Sequence, residues 1–109
     1  MIRNQSSLDA CQKCATACEA CLHAMINEQS DNDCPHCCRE CLDICLLCAQ
    51  ALARESKFSS QICQLCAEIC HWCASQCEAH DHDHCQECAQ ACQRCATECR
   101  AMATETATT

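Results

Sequence analysis

The chain has 109 residues, a formal net charge of −8 and only seven lysine and arginine residues, which do not cluster. The length fits one domain, and an acidic chain without a basic patch argues against a nucleic-acid-binding protein. Gly, Val and Tyr are absent and Pro35 is the single proline, so the usual materials of strands and tight hairpins are missing and an all-α fold is predicted.

Four helices are predicted in chain order, over residues 7–27, 33–53, 60–79 and 83–103 of a single domain spanning 1–109. Each contains one copy of the pattern CxxCxxxCxxC, at residues 11–21, 38–48, 63–73 and 85–95. Spacings of three, four and three follow one face of a helix, so each helix carries a stripe of four thiols. Short connections indicate an up-down-up-down antiparallel four-helix bundle with every stripe facing a cysteine-lined core. Asp83 with Gln86 resembles a capping box at the start of the fourth helix.

The two ends of this bundle are predicted to differ. Helices 1 and 3 run opposite to helices 2 and 4, so the loops near residues 27–33 and 79–83 meet at one end. This histidine-rich end collects His23, Met25, His36, His80, His82 and His84, together with Asp31, Asp33, Asp81 and Asp83. The opposite, apolar end gathers Leu8, Leu52, Phe58, Ile62 and Met102, which are predicted to plug the bundle.

Helices 2 and 3 carry a second apolar stripe that is predicted to face away from the cysteines. It consists of Ile44 and Leu47 on helix 2 and Ile62, Leu65, Ile69 and Trp72 on helix 3. An outward apolar stripe usually meets a partner. We therefore expect a homo-oligomer, a dimer or tetramer, formed through helices 2 and 3; the alternative is that the bundle buries these residues between its own helices.

The core is predicted to consist mainly of thiols. Leu, Ile, Val and Phe together supply 13 residues, whereas Cys supplies 20, and a free cysteine packs as a small hydrophobe. Residues 1–10 are too polar for a secretory signal, and no apolar run is long enough to span a membrane. We expect a soluble cytoplasmic protein with no membrane partner, and in that reducing compartment so many cysteines are expected to be metal ligands rather than disulfides.

Charge favours monovalent copper as the ion. A thiol releases its proton when it binds metal, so exchanging H⁺ for Cu⁺ leaves the buried charge unchanged, and thiolates are soft ligands that select Cu(I). A Zn²⁺ ion held by four thiolates would leave two net negative charges at each site. Iron-sulfur clusters fit less well, because their ligands usually lie on irregular loops rather than in helical register.

The four repeats on four helices resemble the cytosolic branch of the bacterial copper storage proteins. The resemblance covers residues 11–99 and implies a bundle that fills with several Cu(I) ions per chain, assembles as a homo-oligomer and admits metal at one end lined by His or Met. It implies that the ligands are Cys11, Cys14, Cys18, Cys21, Cys38, Cys41, Cys45, Cys48, Cys63, Cys66, Cys70, Cys73, Cys85, Cys88, Cys92 and Cys95, with Cys34, Cys77 and Cys99 in the extended register. Cys37 is off that register by one residue, and the candidate ligands at the entrance are Met25, His36, His80 and His84.

The predicted function is storage or sequestration of Cu(I), with copper ions as the partners. The alternatives are a general soft-metal buffer for Zn²⁺ or Cd²⁺ of the metallothionein type, or a copper chaperone. A chaperone typically exposes one CxxC on a loop, which this sequence does not show. No enzyme activity is predicted, because catalysis needs positioned acid or base groups beside an open coordination position.

Overall fold

The computed structural model describes residues 4–26 and 34–107, with side chains described up to residue 104. Within these ranges the chain forms four helices: α1 (Gln5–Ala24), α2 (Cys34–Ala53), α3 (Ser59–Glu78) and α4 (Asp83–Ala107). α1 begins and ends earlier than predicted, and α4 continues past residue 103. Asp31 and Asp33 lie outside the described residues. None of the described helices is long and apolar enough to cross a membrane.

The helices form the predicted antiparallel bundle. α1 and α3 each pack against both α2 and α4, so every contact is between antiparallel neighbours and the cysteine stripes converge on the axis. Ala residues flank the thiols; Ala10, Ala51, Ala67 and Ala74 are almost fully buried. Small side chains on both helices of a contact allow a narrow bundle, in which sulfur atoms from all four helices meet.

The connection from α2 to α3 is tight although the chain has no glycine. The Ser56 N–H donates to the Ala51 carbonyl at 2.9 Å and the Glu55 N–H to the Leu52 carbonyl at 3.2 Å, which is the Schellman pattern at a helix end. The motif places Glu55 in the left-handed region, with φ of 52°. A non-glycine residue there costs roughly 1–2 kcal/mol.

The predicted plug of the apolar end is correct for Leu8, Leu52 and Met102, which are buried. It is wrong for Phe58, whose side chain is 54% exposed. Phe58 is the N-cap residue of α3, so it lies outside the bundle, where the Lys57 ammonium sits 5.2 Å from the centre of its ring. Ile62 is half-buried against the core.

The second apolar stripe is only partly directed outward. Leu47, Leu65 and Trp72 are exposed, as predicted, but Ile44 is buried and Ile69 packs half-buried against the core. The prediction was therefore wrong for Ile44, because this residue lies seven positions from Cys37 and from Ala51, on the same buried side of α2, and packs in the core cluster.

Candidate metal centre

All twenty cysteines lie in the described ranges, are buried and carry reduced thiols. Apart from them, the buried polar side chains of the described residues are those of Ser7 and Ser59. Each hydroxyl donates to a backbone carbonyl, Ser7 to Glu98 at 3.3 Å and Ser59 to Ala51 at 3.4 Å. Among the described residues, the interior therefore consists of thiols and apolar side chains with no buried cation.

In α2, α3 and α4, pairs of thiols four residues apart lie in contact, and in α1 the sulfurs of Cys14 and Cys18 lie within 4.8 Å of each other. The Sγ–Sγ distance is 3.9 Å for Cys41 and Cys45, 3.8 Å for Cys66 and Cys70, and 3.9 Å for Cys95 and Cys99. The helix repeat alone produces this spacing, because residues at i and i+4 share a face. Such a CxxxC segment is thus a preformed pair of sulfur atoms that one metal ion could bind.

Between helices the thiols approach equally closely. Cys14 lies 3.5 Å from Cys41 and 3.6 Å from Cys92, so it joins α1 to both neighbouring helices. Several sets of four sulfur atoms have all members within 4.8 Å of one another. Two such sets are Cys14, Cys18, Cys41 and Cys92, and Cys21, Cys34, Cys38 and Cys77. Two-, three- and four-sulfur coordination is available along the core.

Thiol contacts form an unbroken path along the axis, with each step 3.4–4.0 Å long. It starts at the apolar end and finishes at the histidine-rich end. In order, the path runs through Cys63, Cys48, Cys99, Cys95, Cys45, Cys41, Cys92, Cys88, Cys38, Cys77 and Cys34. Consecutive sulfurs on this path are therefore close enough for a metal ion to pass from one to the next.

Neighbouring thiols have opposite tendencies to ionise. Hydrogen bonds with Cys11 and Cys63 hold the pKa of Cys48 below its ordinary value, whereas the hydrogen bond with Cys48 raises the pKa of Cys63. A thiolate is stabilised where adjacent thiols donate to it, and its charge opposes ionisation of those same neighbours. Full ionisation of the core therefore requires that positive ions replace the protons.

At the histidine-rich end, the His84 ring joins the thiols. Its Nδ1 atom lies 3.4 Å from Cys21 Sγ and 3.5 Å from Cys85 Sγ, and the His82 ring stacks on it with centroids 5.3 Å apart. Burial raises the pKa of Cys85 to about 11. This end thus combines sulfur and nitrogen ligands.

Comparison with known proteins assigns this core to a family. The model for the family described as copper storage protein matches residues 2–104. The chain belongs to the copper storage protein family.

Relatives in the family share both sequence and structure. The apo copper storage protein 3 of Bacillus subtilis is 44% identical with a TM-score of 0.86, and the match covers 91% of this chain and 97% of that one. A cytosolic copper storage protein from Streptomyces lividans, solved with five coppers, is 30% identical with a TM-score of 0.86, over 93% and 92% of the two chains. The cysteine-rich protein YhjQ of Bacillus subtilis strain 168 is 43% identical over 85 residues, which are 75% of this chain and 79% of YhjQ.

The structure brings the predicted sulfur ligands of this copper storage family member together. All nineteen cysteines in the helical register line the core. Cys37, the residue off that register, is also buried, but its thiol donates to the Cys34 carbonyl at 3.2 Å. That bond turns the sulfur of Cys37 toward its own helix.

The predicted entrance residues are arranged less uniformly. Met25 is buried at the end of α1, and His84 contacts two thiols. The Nε2 atom of His80 is buried without a hydrogen-bond partner among the described residues. His36 is exposed, so of the four predicted residues it is the least suited to reach a core ion.

Sequence reasoning missed a polar clamp that holds the α3–α4 loop. The Gln86 amide donates to the carbonyls of Glu78 and His80, and the Gln93 amide donates to the Glu78 carboxylate. Gln86 therefore binds the end of α3, whereas the predicted capping box has it bond back to Asp83. Its position near the start of a helix suggested a cap, and only the position of α3 reveals the actual acceptors.

Proposed function

We propose that this chain stores Cu(I) by binding many ions through core thiolates. The observation that carries the proposal is the unbroken path of thiol contacts in an interior without buried cations. Exchange of H⁺ for Cu⁺ fills such a core at constant charge. The Cu(I)-bound family member BsCsp3, 43% identical to this chain, supports the choice of metal.

The proposed ligands are the nineteen cysteines in the helical register. Each has a sulfur fully or almost fully buried, and each stripe presents preformed pairs. Copper is proposed to enter at the histidine-rich end, where His84 contacts Cys21 and Cys85. Met25 and His80 are proposed as accessory groups there, because both have atoms buried at that end.

We also propose a cytoplasmic location and a homo-oligomeric state. Twenty reduced thiols need a reducing compartment to persist, and the Streptomyces lividans relative is described as cytosolic. Leu46, Leu47, Leu65 and Trp72 form an exposed apolar face on α2 and α3. This face supports association between copies of the chain through these two helices.

Titration of the reduced apo protein with Cu(I), against a competing chelator, tests storage. We expect a capacity that approaches one Cu(I) per thiol, because each ion replaces one proton. Zn²⁺ titrated in parallel should saturate at far fewer ions, because each all-thiolate zinc site adds buried negative charge. A capacity of one or two Cu(I) per chain would indicate a chaperone instead, and equal capacities for both metals would indicate a general soft-metal buffer.

A further inference from the structure

The contact of His84 with Cys21 and Cys85 brings a ring nitrogen to two buried thiols. Cys21 is fully buried and Cys85 is 2% exposed, and the His84 nitrogen approaches both sulfurs from the start of α4. Along the core path, by contrast, each step joins one sulfur to another. One imidazole nitrogen facing two buried thiols is a mixed donor set of the kind that binds zinc in proteins.

The distances match the edges of a tetrahedral zinc site. With Zn–S of about 2.3 Å and Zn–N of about 2.0–2.1 Å, sulfur and nitrogen ligands of one tetrahedral ion are about 3.5 Å apart. The observed distances from His84 Nδ1 are 3.4 Å to Cys21 Sγ and 3.5 Å to Cys85 Sγ. The ring nitrogen and each of the two sulfurs are therefore already at the separation that such a site requires.

A fourth sulfur is within reach. Cys34 Sγ lies within 4.8 Å of Cys21 Sγ, and the thiol of Cys85 interacts with those of both Cys21 and Cys34. The donor set is then three cysteines and one histidine, a frequent set in tetrahedral zinc sites. The ligands come from α1, α2 and α4, so an ion held here would link three helices.

Charge makes this end suitable for a divalent ion where the rest of the core is not. Zn²⁺ with four thiolates carries two net negative charges, which a dry core without cations does not compensate. Replacement of one thiolate by a neutral imidazole reduces this to one. The site also lies at the end of the bundle. Its member His84 is half-buried, and the neighbouring residues His82 and Asp83 are exposed. Solvent therefore screens the remaining charge better here than in the middle of the core.

We propose that Cys21, Cys34, Cys85 and His84 form a binding site for one Zn²⁺ ion at the histidine-rich end of the bundle. The site is selective for a divalent ion through its nitrogen ligand, whereas the all-sulfur core is selective for Cu(I). On binding, the thiols of the three cysteines release their protons to solvent and His84 binds through its neutral ring. Cu(I) and Zn²⁺ then compete for these three cysteines only.

Binding of Zn²⁺ alone to the reduced full-length apo protein tests the site, with a chromophoric chelator as competitor. We expect one tight Zn²⁺ ion per chain, and X-ray absorption of that one-equivalent form should show a first shell of sulfur with one nitrogen. His84→Ala should weaken this site at least tenfold, since it removes a ligand. The control His71→Ala, an exposed histidine on α3, should leave the affinity unchanged.

Two results would overturn the proposal: an all-sulfur first shell at one equivalent, or equal Zn²⁺ affinity in the wild type and His84→Ala. The Cu(I) capacity of the wild type, measured on the same preparation, separates this proposal from storage. A zinc site that is lost in His84→Ala, in a protein whose wild type holds many Cu(I) ions, supports both proposals. A tight zinc site in a wild-type protein that holds only one or two Cu(I) supports the zinc site and contradicts storage.

Discussion

Cys37 and Cys38 are adjacent in the chain and both fully buried, yet their sulfurs have different surroundings. Cys38 belongs to the helical stripe and contacts Cys34, Cys77 and Cys88 at 3.8–3.9 Å. The Cys37 thiol instead donates to a backbone carbonyl of its own helix. One residue along a helix turns a side chain by about 100°, so the Cys37 thiol reaches a backbone carbonyl while its sulfur lies beside the path of thiol contacts, near Cys34 and Cys73.

This contrast predicts that cysteines in and out of register contribute unequally to copper capacity. Cys41→Ala removes a sulfur that contacts Cys14, Cys70 and Cys92, so we expect capacity to fall by about one Cu(I), as expected for loss of one exchangeable proton. Cys37→Ala should keep the wild-type capacity. Chelator-competition titrations of both variants measure this directly, and an equal loss in the two would place Cys37 among the ligands.

At the scale of the helices, the cysteine repeats predicted which residues form the core, whereas contacts at the helix ends were harder to predict. The spacing of the thiols determines which face of each helix is buried, without reference to any other helix. The exposure of Phe58 and the acceptors of Gln86 depend on how consecutive helices meet, which a local pattern does not encode. The same reason explains why His84, among several nearby histidines, is the one found between two thiols.

The Gln86 clamp predicts how the α3–α4 loop is held in place. Gln86→Ala removes the hydrogen bonds to the carbonyls of Glu78 and His80. A typical hydrogen bond contributes about 0.5–1.5 kcal/mol to stability, and these exposed bonds are expected at the lower end of that range. We expect faster amide hydrogen exchange at residues 79–86 and little change in the middle of the helices. Gln90→Ala, an exposed position one turn further along α4, is the control. Unchanged exchange at the loop in Gln86→Ala would show that the loop does not depend on the clamp.

At the scale of the whole molecule, the outer faces of the bundle are unequal. Large exposed apolar side chains in the described part of the chain concentrate on α2 and α3, as Leu46, Leu47, Leu65 and Trp72. The outer residues of α4 are polar or alanine, for example Gln90, Arg94 and Ala101. These exposed apolar side chains add little to the stability of the bundle unless another surface covers them.

The proposed association through this face should therefore be sensitive to one charge placed on it. Leu65, on α3, is 48% exposed, and Leu65→Glu should shift the oligomer toward a 12.0 kDa monomer because a carboxylate buried in an apolar contact lacks a partner. Gln64→Glu adds the same charge on the α3 side that faces α4 and should keep the oligomer. Light scattering after size exclusion measures the mass, and the Cu(I) capacity of Leu65→Glu should stay unchanged because the thiols lie inside one bundle. A wild-type protein that elutes as a monomer at micromolar concentration would show that the apolar face has another role.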